Sequence, residues 1–238
     1  MIRTGTIEKA RAGRKHHVLP NGTGYWRNGL ISSAPHDDVS PQAFLVEQDP
    51  NTTIEPHFHQ ENEFQVVVEG NGLLGRRVVE PVRVHYAGAH TGYGPISAGP
   101  KGLAYFTLRA RSDPGARFLP GARDRMQKGP KRHLLAEAYA PANPAALVAT
   151  RVVDLWEPQP DGVGAWMLRI EPDQTAPVPG HPGATRYLLV ICGTLLFNGE
   201  RLPRFATAFT DEPAPLRAGD EGVELLVLQF PHTQGERK

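Results

Sequence analysis

The chain has 238 residues and a formal net charge of +1, from 26 Lys and Arg against 25 Asp and Glu. The densest basic stretch, residues 123–132, is interrupted by Gly129-Pro130, so the sequence offers no basic surface that could follow a phosphate backbone, and we exclude nucleic acid as a partner. The 25 Gly and 23 Pro favour short strands and many turns over long helices. We therefore expect an all-β protein with one large or two small domains.

The sequence gives no indication of membrane insertion or secretion. Residues 1–17 lack the apolar centre of a secretion signal, and no stretch approaches the length needed to span a bilayer. The single cysteine, Cys192, lies in an apolar run and has no partner for an intrachain disulfide. We expect a soluble cytoplasmic protein with no membrane partner, and a homodimer stays open.

The first half begins with a polar, turn-rich arm over residues 1–41, after which alternating apolar patterns predict strands. The Asn71-Gly72 pair is typical of a hairpin turn. Residues 111–148 have loop character and predict a linker, with one short helix over 132–139. The predicted strands of this half cover residues 43–48, 54–68, 73–79, 82–86 and 103–109.

The same pattern of short strands and turns resumes after the predicted linker. Regular short strands of this kind indicate a sandwich or a barrel and argue against alternating strand-helix units. The predicted strands here cover residues 149–156, 165–170, 187–192, 194–197, 206–209 and 224–230.

Three potential metal ligands lie close together in the first half. His57, His59 and Glu63 are spaced by even numbers, so they share one face if the backbone stays extended. Two imidazoles and one carboxylate suit a divalent ion such as Fe, Mn, Ni or Zn, and they leave coordination positions open for water or substrate. The sequence predicts one such ion, whose identity it does not specify.

The spacing His57-x-His59-x3-Glu63-x6-Gly70 resembles the first motif of the cupin superfamily, with Asn51 where that motif begins with glycine. The resemblance implies a small antiparallel β-barrel of the jelly-roll type around a metal, here over residues 1–110 with the arm included. Residues 85–96 resemble the second cupin motif, and on that alignment His90 is the fourth ligand. His85 as the fourth ligand, or no fourth histidine, stays open.

The second half repeats the order of the first, since residues 168–175 parallel 45–52 and residues 189–194 parallel 66–72. The chain thus resembles a bicupin, whose second barrel covers residues 149–238. If Gly193 takes the place of Gly70, no metal ligand survives in the second barrel, and we expect it to serve packing. The residues at the three ligand positions are then Gly180, Pro182 and Arg186.

The open metal positions favour a metal-dependent enzyme that acts on a small organic molecule, with a dioxygenase-like oxidoreductase as the first hypothesis because this ligand set suits Fe(II) and O2. The resemblance equally allows isomerases, decarboxylases and lyases. The alternative is a non-catalytic barrel that binds a small ligand or metal as a sensor or store. The sequence identifies no catalytic residue. Candidates for orienting a substrate are Gln65, Tyr93, Tyr105 and Arg109.

Overall fold

The structure, a computed structural model, describes residues 1–32, 39–142 and 149–232. The described chain is nearly all β, as expected for its composition. It divides into two compact units. The first unit is Glu8–Ala140, and the second unit is Met1–Ile7 with Pro141–Lys238. Residues 143–148 of the predicted linker and 233–238 of the predicted second barrel lie outside the described residues. Within the described ranges, none of the helices has the length and apolar character needed to cross a bilayer.

The chain opens with strand β1 (Ile2–Gly5) and helix α1 (Ile7–Ala12). The first unit then contains a short 3-10 helix, Arg123–Arg125, and eleven described strands. These are β2 (Lys15–Val18), β3 (Gly24–Ile31), β4 (Gln42–Gln48), β5 (Thr53–Ile54), β6 (His57–Phe58), β7 (Glu63–Leu74), β8 (Arg77–Val79), β9 (Arg83–Ala87), β10 (Ile96–Arg109), β11 (Arg117–Phe118) and β12 (His133–Leu135).

The main sheet of the first unit is antiparallel, with the order β12-β9-β7-β10-β4-β3-β2. Phe64 and Val66 of β7 and Phe106 of β10 are fully buried in the apolar packing on one face. Because successive side chains alternate, the neighbouring Gln65 and Thr107 point to the opposite face. That second face carries the functional site.

Gly70 explains why the predicted hairpin turn at Asn71-Gly72 is absent. Strand β7 continues to Leu74, and Gly70 forms an irregularity with φ +75° against strand β10. A Cβ at Gly70 would lie 2.2 Å from the carbonyl oxygen of Gly102, so only glycine fits there. The hairpin instead turns at Gly75, which has φ +60°.

Residues 111–140 belong to the first unit and do not form a linker between the two units. Strand β11 pairs with β6, and β12 pairs with β9, so the structure has a strand where the sequence predicted a helix over 132–139. Edge strand β9 needs backbone partners, and the amides of Ala136 and Tyr139 supply them to the carbonyls of Val84 and Val82 at 2.9 and 2.8 Å. This pairing outweighs the local helical preference.

The second unit contains β1 and seven later strands, which are β13 (Arg151–Asp154), β14 (Gly164–Ile170), β15 (Thr175–Ala176), β16 (Arg186–Phe197), β17 (Glu200–Leu202), β18 (Thr207–Thr210) and β19 (Leu216–Gln229). Strand β1 pairs with β18, from Ile2 opposite Thr210 to Gly5 opposite Thr207, so the first seven residues do not belong to the first barrel as predicted. Six of these strands follow one another in the sheet in the order β1-β18-β16-β19-β14-β13, while β15 pairs with β19 and β17 pairs with β16.

A continuous apolar core fills the second unit. Its members include Leu188 and Val190 of β16 and Leu225 and Val227 of β19, all fully buried. The packing role predicted for this half stays a prediction.

Candidate functional site

A cavity of about 410 Å³ opens in the first unit, between strands β2, β3, β4 and β10 and the loops that carry Tyr93 and Asp113. This volume lies in the usual range for small-molecule sites. Six of the residues singled out from the sequence line it: His57, His59, Gln65, Tyr93, Tyr105 and Arg109.

His57 is buried beside the cavity and has a fixed orientation. Its backbone exchanges hydrogen bonds with Tyr93, and its Nδ1 lies 2.8 Å from the carbonyl oxygen of Glu55. Since a carbonyl only accepts, Nδ1 carries the proton and Nε2 keeps its lone pair. Burial, the largest cause, lowers the pKa of His57 to about 4, so the ring is neutral at neutral pH.

His59 is oriented by a carboxylate that lies outside the predicted barrel strands. Its Nδ1 donates to Oδ1 of Asp113 at 2.7 Å, which leaves Nε2 as the atom with the lone pair. Asp113 also accepts from the backbone amides of Gln60 at 2.7 Å and Gly115 at 2.8 Å. Burial by itself would raise the pKa of Asp113, but the bonds and charges of His59 and Arg109 hold it well below its usual range.

Glu63 is fully buried behind the cavity wall and is paired with an arginine. The Nη2 and Nε atoms of Arg109 donate to its Oε2 at 2.7 and 3.0 Å, and the Tyr93 hydroxyl donates to its Oε1. Arg109 in turn donates from Nη1 to Gln42 at 2.5 Å. Burial would raise the pKa of Glu63, yet His59 and Arg109 outweigh it and lower the pKa, so the carboxylate is ionised.

Tyr93 lies at the centre of the cluster. Its hydroxyl accepts from Nε2 of Gln65 at 3.1 Å and lies 3.0 Å from Nε2 of His57, in addition to its bond to Glu63. The phenol has one proton and two acceptors beside it, His57 and Glu63. Burial and the charge of Glu63 raise the pKa of Tyr93 well above its usual value, so the phenol stays protonated.

His85 contacts this cluster through Gln65 and does not line the main cavity. Its Nδ1 donates to Oε1 of Gln65 at 3.0 Å, which fixes the amide that holds Tyr93. Burial, the main cause, lowers the pKa of His85 to about 3. Its Nε2 is buried without a hydrogen-bond partner among the described residues, beside a second cavity of about 20 Å³.

The ring of His90, the predicted fourth ligand, is turned away from those of His57 and His59, although the His90 amide donates to the carbonyl of His59 at 2.7 Å. Its ring centroid is 5.6 Å from that of Phe58, the residue between the two histidines, and its Nδ1 accepts from the amide of Gln127 at 3.3 Å. Because Phe58 points to the opposite side from its neighbours, a ring packed on it faces away from the cavity. The positive φ of His90, +57°, redirects the chain at this point, which residue parity alone does not reveal.

The residues present do not fit the predicted four-ligand metal site. Glu63 has its oxygens bonded to Arg109 and Tyr93, and His90 is turned away. In the part of the chain that the structure describes, no three His, Cys, Asp or Glu side chains are placed to hold a metal. The imidazoles of His57 and His59 line the cavity with their Nδ1 atoms fixed by acceptors, an arrangement typical of metal-binding histidines.

Sequence reasoning missed several residues that line the cavity. Asp113 was placed in a linker, and Gln42, Lys15 and Arg27 received no role, although all four contribute to the lining. The alternation of Tyr25 and Arg27 on β3 was the one available signal for an inward face in the N-terminal arm.

Comparison with solved structures places this geometry in a known fold. A putative dioxygenase from Nostoc punctiforme matches 100% of this chain and 85% of its own chain at TM-score 0.69 and 13% identity. Oxalate decarboxylase from Lactobacillus farciminis, solved as a formate complex, matches 96% and 86% at TM-score 0.61 and 14% identity. The chain has a cupin fold. The bacterial pirin YhhW from Escherichia coli, solved with nickel(II), matches 98% and 100% at TM-score 0.60 and 14% identity.

Identities this low establish the cupin fold alone. The chain matches no protein-family model and no curated protein. The nickel(II) of pirin and the activities of the other two neighbours therefore belong to those proteins.

Proposed function

We propose that the first unit is the active half of an enzyme that acts on a small organic molecule in its cavity. His57 and His59 direct their Nε2 atoms to the molecule, and the Tyr93 hydroxyl, whose proton is donated to Glu63, lies beside His57. Two fixed imidazoles on one cavity wall carry this proposal, since each is held at Nδ1 by a hydrogen-bond acceptor and lines the cavity.

Each neighbouring residue has a defined part in this arrangement. Asp113 fixes the His59 ring with its lone pair toward the cavity, as the Glu55 carbonyl does for His57. Arg109 neutralises Glu63, which allows a carboxylate to remain ionised in a buried position. Gln65 holds the Tyr93 hydroxyl within reach of His57. The set suits removal of a proton from a substrate O–H or acidic C–H.

A metal-dependent, dioxygenase-like oxidoreductase is the second candidate. The acceptor-bound Nδ1 atoms of His57 and His59 favour it, because metal-binding histidines in proteins usually have this feature. A divalent ion held by the two imidazoles would supply Lewis-acid or O2 chemistry. The pairing of Glu63 with Arg109 argues against the carboxylate as a third ligand.

The experiment compares the purified chain with the single variants His57→Ala and His59→Ala, and with His181→Ala as a control at an exposed histidine of the second unit. Each protein is incubated with a small-molecule extract under air and under nitrogen, and substrate loss is followed by mass spectrometry. We expect the first two variants to lose about 10²-fold or more of the turnover rate and the control to keep it.

Elemental analysis of the same samples separates the candidates. Turnover without stoichiometric metal supports acid–base chemistry by the imidazoles. One metal ion per chain that is lost in both His57→Ala and His59→Ala supports the metal-dependent candidate. If the chain retains a compound from the extract but never converts it, the first unit is a binding protein of the sensor or store kind.

A further inference from the structure

One wall of the cavity concentrates positive charge. On β2 and β3, Lys15 lies opposite Arg27 and His17 lies opposite Tyr25, and all four side chains line the cavity. Like charges directly opposite each other in an antiparallel pair destabilise the sheet. The pairing of Lys15 with Arg27 therefore lowers the stability of the sheet.

Arg27 is the residue of this pair whose charge is most clearly destabilised. Its guanidinium is half-buried and lies 4.0 Å from the ring centroid of Phe44, and no carboxylate among the described residues pairs with it. Burial, followed by the charge of Arg109, lowers its pKa. A guanidinium in this position is desolvated and repelled by its neighbours, and an anion in the cavity would relieve both effects.

The carboxylates nearest the cavity do not supply that anion. Asp113 is the only acidic residue among those described that line the cavity, and it is bonded to His59 and to two backbone amides. Glu63 is bonded to Arg109 and Tyr93. The positive wall therefore has no counter-ion within the described residues.

The rest of the lining combines the polar residues of the site with a set of apolar side chains. It includes side chains from β4, β5 and β11 that can pack against a hydrocarbon or aromatic body. These residues are Phe44, Val46, Ile54 and Phe118.

We infer that the cavity binds a small organic carboxylate. Its anionic head pairs with Arg27 and Lys15, and its apolar body packs on Phe44 and Phe118. This placement brings the body beside His57. A planar guanidinium on an aromatic ring is suited to a carboxylate, since its fork of N–H donors matches two oxygens. This inference rests on the proposed function in taking the cavity as the ligand site, and it adds the class of ligand.

Isothermal titration calorimetry on the full chain tests the inference with matched pairs of probes. Benzoate and 3-phenylpropionate are compared with benzamide and 3-phenylpropionamide, which have nearly the same shape without the charge. We expect each acid to bind at least 10-fold more tightly than its amide. Arg27→Gln should remove that preference, and Arg27→Lys should keep part of it, because the charge remains but the fork is lost.

Arg77→Gln is the matched control, since Arg77 is an exposed arginine on β8 that does not line the cavity. It should leave the binding of all four probes unchanged. Circular dichroism checks that Arg27→Gln is folded, and Arg27→Lys provides a second measurement if it is not.

Three outcomes would overturn the inference. These are equal binding of acids and amides, a preference for acids that survives in Arg27→Gln, and no binding of any probe to the unaltered chain. None of the three bears on turnover that depends on His57 and His59, so failure here is distinguishable from failure of the proposed function.

Discussion

The two units share one strand framework but differ in what they place on its inner face. Gly70 and Gly193 occupy the same position, with φ of +75° and +74° and a virtual Cβ 2.2 and 2.1 Å from the carbonyls of Gly102 and Gly222. Counting from these glycines, the strand registers coincide, since Gln65 pairs with Thr107 and Leu188 pairs with Val227. Equivalent positions can therefore be compared directly.

On the inner face, polar residues of the first unit become apolar in the second. Gln65 corresponds to Leu188, Thr107 to Val227 and His85 to Ala208, and the three second-unit residues belong to its apolar core. The opposite face keeps its character, with Phe64 and Tyr86 in the first unit at the positions of Tyr187 and Phe209. The two units therefore share a strand framework and differ in the residues on a single face of the sheet.

The difference extends to the buried charges. Glu63 corresponds to Arg186, and Arg109 corresponds to Gln229, the residue opposite Arg186. In the second unit the guanidinium of Arg186 donates hydrogen bonds to backbone carbonyls. Those of Ala184 and His181 accept from it at 3.1 and 2.6 Å. The first unit instead holds an ion pair beside a cavity, an arrangement that costs stability unless both partners are present.

The largest predicted effect comes from breaking that ion pair. Arg109→Gln, which introduces the residue of the second unit, leaves Glu63 buried without its cation, and we expect the free energy of unfolding of the first unit to fall by about 3–5 kcal/mol. Urea unfolding, with hydrogen exchange of β7 and β16 to separate the two units, measures it. The exchange of β16 should not change.

A double variant tests the cause. Glu63→Gln with Arg109→Gln removes both charges and should recover much of the loss, since no unpaired charge remains. Arg201→Gln, at an exposed pair with Asp220, serves as the control and should have no measurable effect. A double variant as unstable as Arg109→Gln alone would show that the charge pairing is not the cause.

The next effect tests whether the two units use one framework. Gly70→Ala and Gly193→Ala each force a side chain into the left-handed region and against a backbone carbonyl, so each should destabilise its own unit by about 1–3 kcal/mol. Gly199→Ala is the matched control, because Gly199 has φ +76° but no atom within 4 Å of its virtual Cβ. Thermal unfolding compares all three. Equal losses at Gly193 and Gly199 would contradict a role for the carbonyl contact.

Much of this fold follows from local pattern. Alternation predicted the strands that became β4, β7, β9 and β10, because a half-buried strand must alternate whatever its partners are. The helix over 132–139 was wrong because edge pairing with β9 is a long-range requirement that local propensity does not contain. For the same reason the sequence did not place residues 2–5 beside β18.

The alternation of side chains along a strand predicted only part of the candidate site. Even spacing brings His57 and His59 to one cavity, and the strand pattern brings Gln65, Tyr105 and Arg109 there as well. The pairing of Glu63 with Arg109 depends on the register of β7 and β10 across 46 residues, which no local pattern specifies. His90 was misplaced because its backbone turns at a positive φ, and the role of Asp113 depends on how a loop folds back over His59.

The smallest predicted effect is the pH dependence of stability that His85 gives the first unit, where the second unit has Ala208. The folded pKa of His85 is about 3, well below the ordinary value of 6.5, because burial disfavours the charged ring. Between these two values the unfolded chain binds a proton that the folded chain does not, so stability is present above pH 6.5 and is lost as the pH falls. At pH 5 this one histidine should cost about 2 kcal/mol relative to pH 7.

His85→Asn keeps a donor for Gln65 but cannot titrate, so it should flatten the pH dependence of urea unfolding between pH 7 and 5 by that amount, whatever it does to stability at pH 7. The exposed His181→Asn in the second unit is the control and should leave the slope as it is. Hydrogen exchange, corrected for intrinsic rates, should show that strand β9 loses protection at pH 5 while β18, where Ala208 replaces the histidine, does not. If His85→Asn leaves the slope unchanged, the buried imidazole of His85 does not carry the acid sensitivity of the first unit.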